Sequence, residues 1–308
     1  MNYKAYKLNF TGNVHFGKRT LESANMTFTA DRLFAALAFE AVHESDEAFS
    51  EFINLIAKGK IIFSDAFPFM GNEYYCPKPM IKVATKTNDE DIKKRKQFKK
   101  LEYLPISKFG EYVLGKAEIE ELLPPEPGFG KFAVKTSVSI EPLNDPKPYR
   151  VGYFAFNKNS GLYILAGYEE KSSLGVIEDL LDRLSFSGIG GKRSAGLGKF
   201  ELDFGEFPQE GLDRLNGVYE NYMTLSSALP KDEEMEKALK GARYLLEKKS
   251  GFAASIDYAP EWRRKRDSFA FIAGSVFKNK WQGVLKDVSQ NGNHPVYRCL
   301  MPIFMGVD

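Results

Sequence analysis

Residues 174–204, "LGVIEDLLDRLSFSGIGGKRSAGLGKFELDF", predict a helix, a glycine-rich loop and a strand in that order. Apolar residues recur at helical spacing in the first part and alternate in the last part, as in a half-buried strand. They are Val176, Ile177, Leu180, Leu181 and Leu184, followed by Phe200, Leu202 and Phe204. The loop between them, residues 188–199, has five glycines, three cations and no acid. Because glycine loses the most freedom on folding, such a cluster indicates close approach of another backbone.

The loop does not fit the two common nucleotide-binding motifs. A P-loop would need glycine at Phe186 and a hydroxyl residue at Arg193, and the dinucleotide fingerprint would need glycine at Arg193. Both motifs also run from strand to helix, so that phosphate meets a helix N-terminus, whereas this segment runs from helix to strand. We therefore interpret it as a polynucleotide-binding loop in which Lys192, Arg193 and Lys199 meet phosphate oxygens. The alternative is a flexible surface turn.

Segments earlier in the chain, together with the helix and strand that flank this loop, give the order strand, helix, strand, strand, helix, strand. Tyr6, Leu8 and Phe10 alternate as a first strand, and Thr29 is expected to cap a helix over residues 30–42, in which Asp31 favours the N-terminal dipole. Residues 59–65, 150–156 and 161–167 read as strands, with a turn at 157–161 between the last two. This order predicts a ferredoxin-like (RRM-like) domain with a long insertion at about 66–148.

A second, similar unit is predicted for the rest of the chain. Residues 217–225, 242–251 and 268–274 read as strands and residues 231–239 as a helix, after a short polar linker. We therefore predict an α+β protein of two ferredoxin-like domains, residues 1–206 and 207–308.

Composition bounds the functions. With 43% hydrophobic residues and a net charge of +2, the chain can form one large or two medium cores, and nucleic-acid affinity must come from local basic clusters. Cys76 and Cys299 lack metal-site spacing and are expected to be reduced core residues. No acid pair or metal cluster assigns a reaction, so no cofactor is expected. The chain has no signal peptide and no apolar run of about 18 residues, so we expect a soluble, cytoplasmic protein without a membrane partner.

Other candidates for RNA contact are basic or aromatic. The loop after the first strand carries His15, Lys18 and Arg19, although a lone histidine is more often structural. Residues 93–100, with Phe98 and Tyr103, fit either RNA contact or a solvated face. Residues 263–266, after Trp262, fit RNA contact, with protein contact as the competing interpretation. Residues 150–157 resemble an RNA-stacking strand through Tyr153 and Phe156, but alternating aromatics are commoner in buried strands. His43 and His294 read as ordinary surface or packing residues.

A glycine-rich segment from helix to strand on a ferredoxin-like half resembles the signature of the RAMP superfamily of CRISPR-associated proteins. Residues 14–37, 74–81, 98–115 and 292–306, with His-Phe-Gly, Pro-Lys-Pro and His-Pro-Val-Tyr, are similar to the family of fourth subunits of the Csm complex, the type III-A CRISPR effector. The similarity extends over nearly the whole chain. The resemblance implies a noncatalytic subunit that grips the 5′ handle of the crRNA and joins the large polymerase-bearing subunit to the backbone RAMP subunit, with no small-molecule substrate.

The resemblance also implies where the handle is held. Carried onto this chain, the RNA contacts are His15, Gly17, Lys18, Arg19, Gly188, Gly190, Gly191, Lys192, Arg193, Ser194, Gly196, Gly198 and Lys199. The family often carries Ser-Asp-Thr at the first helix start, where this chain has Thr29 to Arg32, so Arg32 replaces the hydroxyl contact. Two alternatives stay open: a metal-independent RAMP endoribonuclease that matures crRNA with His15 as general acid or base and Lys18 stabilising the phosphorane, and a protein-binding adaptor.

Overall fold

A computed structural model of the chain describes residues 1–83, 92–139, 145–253, 255, 257–259, 261 and 263–308. The strands in these ranges are β1 Asn2–Phe10, β2 Phe16–Gly17, β3 Ala24–Asn25, β4 Ile61–Phe63, β5 Phe67–Met70, β6 Glu73–Pro77, β7 Tyr103–Pro105, β8 Gly130–Ser139, β9 Lys147–Phe156, β10 Ser160–Tyr168, β11 Phe200–Gly205, β12 Tyr222–Thr224, β13 Leu246–Lys249, β14 Ser268–Phe271, β15 Val276–Phe277, β16 Val284–Asp287, β17 Tyr297–Leu300 and β18 Phe304–Gly306. The helices are α1 Ala30–Glu44, α2 Asp46–Ala57, α3 Ile92–Lys100, α4 Phe109–Val113, α5 Ile119–Leu122, α6 Ser172–Ser187, α7 Gln209–Asn216 and α8 Met235–Leu239.

The central sheet has seven antiparallel strands, in the order β11-β1-β10-β5-β6-β7, with β4 also pairing with β10. Leu8 in β1 lies between Leu162 in β10 and Leu202 in β11. The predicted alternation is correct, since Tyr6 and Leu8 are fully buried. β1, α1, β4, β10, α6 and β11 follow one another in the predicted order of strand, helix, strand, strand, helix, strand.

Helices α1 and α6 contact each other and bury their apolar faces in the same core as the sheet. Leu33, Leu37, Ile177 and Leu184 are fully buried, as their helical spacing predicts. An ion pair of 3.2 Å between Arg183 and Glu44 links the exposed sides of the two helices.

The start of α1 differs from the prediction. Thr29 occupies the N-cap position, but its side chain accepts no hydrogen bond from the helix. Instead the Ala30 N–H donates to the Asp65 carboxylate at 2.7 Å, and Asp31 pairs with Arg298 at 2.9 Å. The predicted hydroxyl cap is therefore wrong, because the carboxylate of Asp65, the second residue after β4, satisfies the helix terminus.

The prediction that residues 66–148 lie outside the core is wrong for much of that range. Strands β5, β6 and β7 extend the central sheet, and Phe69, Cys76, Leu104 and Ile106 are buried in the main core. These strands are three to five residues long and are separated by polar segments. Such short strands leave little periodicity in the sequence.

Strands β8 and β9 form a long two-stranded arm, defined as residues 130–139 and 147–156. It pairs continuously from Gly130↔Phe156 to Ser139↔Lys147. Phe132, Val134 and Val138 are exposed along β8. The arm joins the rest of the fold through Phe154, whose N–H and C=O both bond with Val14 at 2.9 Å.

The described residues after 206 form three small antiparallel sheets, β15-β12-β18, β13-β14 and β16-β17. Strands β12, β13 and β14 and helix α8 lie inside the predicted segments, whereas β15 to β18 were not predicted and α7 occupies a stretch read as linker. Met223, Leu225 and Ile303 belong to the same hydrophobic core as the central sheet. The fold mixes α and β elements throughout, as predicted, while both ferredoxin-like units and the boundary at 206/207 stay predictions.

Candidate nucleic-acid interface

The glycine loop joins α6 to β11, as predicted, and closes on itself. The Ile189 N–H donates to the Gly198 carbonyl at 2.9 Å, and the Gly198 N–H donates to the Asn13 carbonyl at 3.0 Å. Gly188, Gly190 and Gly198 have φ of +81°, +105° and +83°, which L side chains rarely adopt. A Cβ at Gly198 would clash with the Ile189 carbonyl oxygen. The glycines thus permit a narrow loop.

His15 lies beneath this loop and is only 6% exposed. Its carbonyl oxygen accepts from the Gly191 N–H at 2.9 Å, and its Nδ1–H donates to the Gly152 carbonyl at 2.5 Å. A Cβ at Gly191 would lie 2.7 Å from the His15 ring, and one at Gly190 would lie 2.8 Å from its carbonyl oxygen. The His15 ring thus fills the space between the loop and β9, and its contact with a phosphate or base stays a prediction.

Four glycines, Gly188, Gly190, Gly191 and Gly198, form what we call the floor of the loop. The sequence suggested that clustered glycines leave amides open to RNA. Instead the N–H groups of Gly188, Ile189, Gly191, Gly196 and Gly198 donate to carbonyls of the protein. That expectation is wrong for these amides, since the close approach that the glycines permit is between two segments of the same chain.

The tip of the loop, residues 192–196, faces outward and carries two cations. Lys192 has φ +59° and places its Nζ 4.7 Å from the centre of the Tyr149 ring in the arm. The Arg193 guanidinium lies 5.1 Å from the Phe39 ring, and its Nη1 lies 3.9 Å from the buried Glu40 carboxylate. Ser194, Ala195 and Gly196 are exposed. Both cations thus lie against aromatic rings beside the exposed residues 194–196.

A second cationic segment lies on the other side of His15. Lys18 and Arg19 are exposed on a turn that ends at Ser23, whose Oγ accepts from the Arg19 N–H at 3.3 Å. The turn packs on the arm, because the Gly152 N–H donates to the Leu21 carbonyl at 2.9 Å. The structure therefore brings the two predicted loops together around residues 13–17, at the base of the arm.

Gly17 and Arg32 support this turn rather than forming its outer surface. Arg32 Nη2 donates to the Gly17 carbonyl at 3.5 Å. Burial lowers the pKa of the Arg32 guanidinium from its ordinary value, although Asp31 and Glu247 act to raise that pKa. Lys199 immediately precedes β11 with an exposed side chain, and its carbonyl oxygen accepts from the Thr11 N–H at 3.1 Å.

The other basic or aromatic candidates lie elsewhere in the fold. Most cations of α3 are exposed, but Tyr103 is bonded to Thr27 at 3.2 Å, and burial raises its pKa to about 12. Phe156 stacks on Phe10 at 5.2 Å, which favours the packing interpretation of that strand. Arg263, Arg264 and Arg266 are exposed, and Trp262 lies outside the described residues. Tyr103 is thus unavailable for base stacking.

The aromatic surface around the tip was not predicted from the sequence. Tyr149 and Phe39 reach the cations from the arm and from α1, and neither was singled out. The alternation of Phe132, Val134 and Val138 with Lys131 and Lys135 is a signal that could have found the arm. Tyr149 carries no such signal, because its position near Lys192 depends on tertiary structure.

The described residues of this surface include neither a metal-binding cluster nor a cysteine pair. No group of three His, Cys, Asp or Glu side chains suited to a metal ion occurs in the described ranges. Cys76 and Cys299 are buried and unpaired, as predicted, and burial raises the pKa of the Cys299 thiol to about 12. Of the helices in the described ranges, none is both long and apolar enough to cross a membrane.

Comparison with known proteins identifies the family from the sequence. The profile described as the RAMP superfamily matches residues 56–201, and that described as the CRISPR Csm4 C-terminal domain matches residues 218–307. The CRISPR system Cms protein Csm4 of Mycobacterium tuberculosis is 37% identical over 308 residues, covering 100% of this chain and 98% of the relative. The Csm4 protein of Streptococcus thermophilus is 33% identical over 317 residues, covering 100% of both.

Solved structures share the fold at lower identity. A crystal structure of a Csm3–Csm4 subcomplex of the type III-A CRISPR-Cas interference complex matches with a TM-score of 0.69 and 19% identity, covering 98% of each chain. A Csm1–Csm4 cassette in complex with pppApA matches with a TM-score of 0.65 and 21% identity, covering 99% of this chain and 98% of that one.

Proposed function

Since this chain belongs to the Csm4 family of the RAMP superfamily, we propose that it is the noncatalytic subunit of a type III-A Csm complex that holds the 5′ handle of the crRNA. The observation that carries this proposal is the pair of cationic loops, Lys18–Arg19 and Lys192–Arg193, fixed on either side of His15 at the base of the arm. A single-stranded handle needs phosphate contacts in a fixed register, and two anchored loops supply them.

The internal hydrogen bonds of the glycine loop support a binding role rather than oppose it. They fix the direction in which Lys192 and Arg193 leave the surface, so that little conformational entropy is lost when a phosphate binds. Tyr149 and Phe39 hold the two side chains from below. The RNA contacts of the proposed site are therefore side chains of the tip and of the Lys18–Arg19 turn, with the floor glycines and His15 as supports.

We infer a bridging role from the partners with which relatives were solved. One relative of the same fold was solved with Csm1 and another with Csm3. We extend these partners to this chain, which would join the large polymerase-bearing subunit to the backbone RAMP subunit. The exposed arm and the second unit after residue 206, which we retain as ferredoxin-like, offer separate surfaces for two neighbours.

Our proposal that the subunit is noncatalytic depends on the environment of the His15 ring. A general acid or base must come within hydrogen-bond reach of the proton it transfers. The His15 ring is 6% exposed, and its Nδ1–H is engaged by the Gly152 carbonyl. The side chain that a metal-independent ribonuclease would use is thus committed to packing under the glycine loop.

Site-specific crosslinking tests the proposal. Assembled complex is prepared with crRNA that carries a single 4-thiouridine in the handle or, as control, near the 3′ end. Handle probes should crosslink to peptides containing residues 18–32 or 188–199, and the 3′ probe should not. If the handle probes crosslink only to peptides outside these two, the proposed site does not contact the handle.

A cleavage assay separates the scaffold from the ribonuclease. Repeat RNA incubated with the purified chain in EDTA should remain intact. Cleavage that persists in wild type and disappears in His15→Gln would instead establish the ribonuclease.

A further inference from the structure

The outer edge of β13 carries exposed apolar side chains on a regular strand. Leu245 is 61% exposed, Leu246 is 52% exposed and Phe269, on the neighbouring β14, is 55% exposed. Lys248 pairs with Phe269 across the two strands. Leu246 lies on the same face of the hairpin as Phe269, and Leu245 lies on the opposite face. Apolar exposure on an ordered strand is typical of a surface that another molecule covers.

Backbone groups of β13 also face away from its partner strand. Leu246 lies opposite Phe271, but the N–H and C=O of Phe271 both bond with Ala228, at 2.8 and 3.0 Å. The flanking Leu245 carbonyl accepts from the Ile272 N–H at 3.1 Å, which is the pattern around a non-hydrogen-bonded pair. The N–H and C=O of Leu246 therefore point outward. Because hydrogen-bonded and non-hydrogen-bonded pairs alternate along an antiparallel ladder, the N–H and C=O of Lys248 point outward as well.

This outer edge is open within the described part of the chain. Sheet pairing joins β13 to β14 alone there, and the side chains of residues 243–248 are exposed. An open edge with unpaired N–H and C=O groups is a template for one more strand. A polypeptide satisfies these groups in register, which an RNA backbone cannot do.

The charges around the edge limit the chemistry of that strand. Arg243, Lys248 and Arg264 are exposed beside it. Lys248 and Arg264 share a single carboxylate, Asp267, at 2.7 and 3.6 Å. Glu247, which is also exposed on β13, pairs with Lys249 at 2.5 Å, so the edge keeps a small excess of positive charge around an aliphatic centre. Aliphatic leucines bind apolar side chains better than they stack on bases.

We propose that the outer edge of β13 binds an extended segment of a neighbouring protein subunit, with acidic and apolar residues in alternation, as an added strand. This proposal rests on the proposed function, because it presumes that the chain sits among other protein subunits. It concerns a surface on a different sheet from the glycine loop and the arm.

Hydrogen–deuterium exchange tests the edge directly. The full chain is compared alone, with guide RNA, with the purified large subunit and with the purified backbone subunit of the same particle. The peptide covering residues 244–249 should exchange quickly in the free chain and become protected by one of the two protein subunits. Protection by RNA alone, or no protection in an assembled particle, overturns the proposal while leaving the proposed function intact. A chain that joins neither subunit overturns both.

A proline substitution isolates the backbone contribution. Lys248→Pro removes an N–H that faces outward and leaves the ladder to β14 intact, whereas the control Lys248→Ala removes only the charge. We expect Lys248→Pro to weaken binding of the protecting subunit about tenfold and Lys248→Ala about threefold. Equal affinities for the two variants would exclude strand addition. The exchange experiment on wild-type chain decides the matter if the proline variant does not fold.

Discussion

The floor and the tip of the glycine loop lie within twelve residues of each other but serve different purposes. The floor glycines meet the backbone and ring of His15 or the loop's own carbonyls, so their missing side chains are required by the protein. A Cβ at Gly196, in the tip, would meet nothing within 4 Å. A run of glycines and cations is thus no evidence of one role, because the glycines build a narrow loop and the cations are the part that we propose to bind RNA.

The sharpest test of that difference is the same substitution in both regions. Gly198→Ala should lower the free energy of unfolding by about 3 kcal/mol, from positive φ strain and a clash with the Ile189 carbonyl. Gly196→Ala has a similar φ, +82°, but open space around it, so about 1 kcal/mol is expected. Urea unfolding followed by circular dichroism measures both. Equal losses at the two positions would show that the floor is looser than the structure indicates.

His15→Ala probes the floor from below. The substitution leaves the Gly152 carbonyl without its donor and opens a cavity under Gly191, and we expect a loss of about 2 kcal/mol in the free energy of unfolding. RNA affinity should fall less than stability does, provided that binding is measured well below the melting temperature. An unchanged stability together with a large loss of RNA binding would place the His15 side chain at the RNA instead.

How far the sequence could predict these regions depends on where each contact originates. Helical and strand periodicity located α6, the loop and β11, because those signals are local. The role of the floor glycines was not predictable, since it depends on residues 13–16, which are distant in sequence but adjacent in space.

The same distinction explains the errors elsewhere. Asp65 caps α1 from beyond β4, so no local pattern at Thr29 could reveal that the hydroxyl is unused. Strands β5 to β7 are short, and only their pairing with β10 and each other shows that they are core. The resemblance to the RAMP superfamily was confirmed because it rests on motifs spread over the whole chain rather than on one contact.

Substituting the tip cations should affect RNA and leave the fold intact. Lys192→Ala with Arg193→Ala should weaken binding of handle RNA about tenfold and lower the salt slope by about two phosphate equivalents, a change of about 1.4 for single-stranded RNA. The matched control is Lys116→Ala with Lys171→Ala, which removes two exposed lysines far along the chain from the loop. Filter binding across a salt series measures both. If affinity depends on salt with the same slope in the two double variants, the tip does not contact the RNA.

Glu40 tests the connection between floor and tip, with the smallest expected effect. Its buried carboxylate lies 3.9 Å from Arg193 Nη1 and accepts from the Ser187 Oγ–H at 2.5 Å. Glu40→Gln keeps an acceptor for Ser187 but removes a negative charge that competes with phosphate for Arg193. Because the ion pair is long and Arg193 is partly exposed, we expect a gain of only about twofold in RNA affinity. The slope of affinity against salt should not change, since no cation is added. If Glu40→Gln weakens binding instead, the carboxylate must orient Arg193 toward the RNA, and the tip would depend on α1 for its geometry as the floor depends on His15.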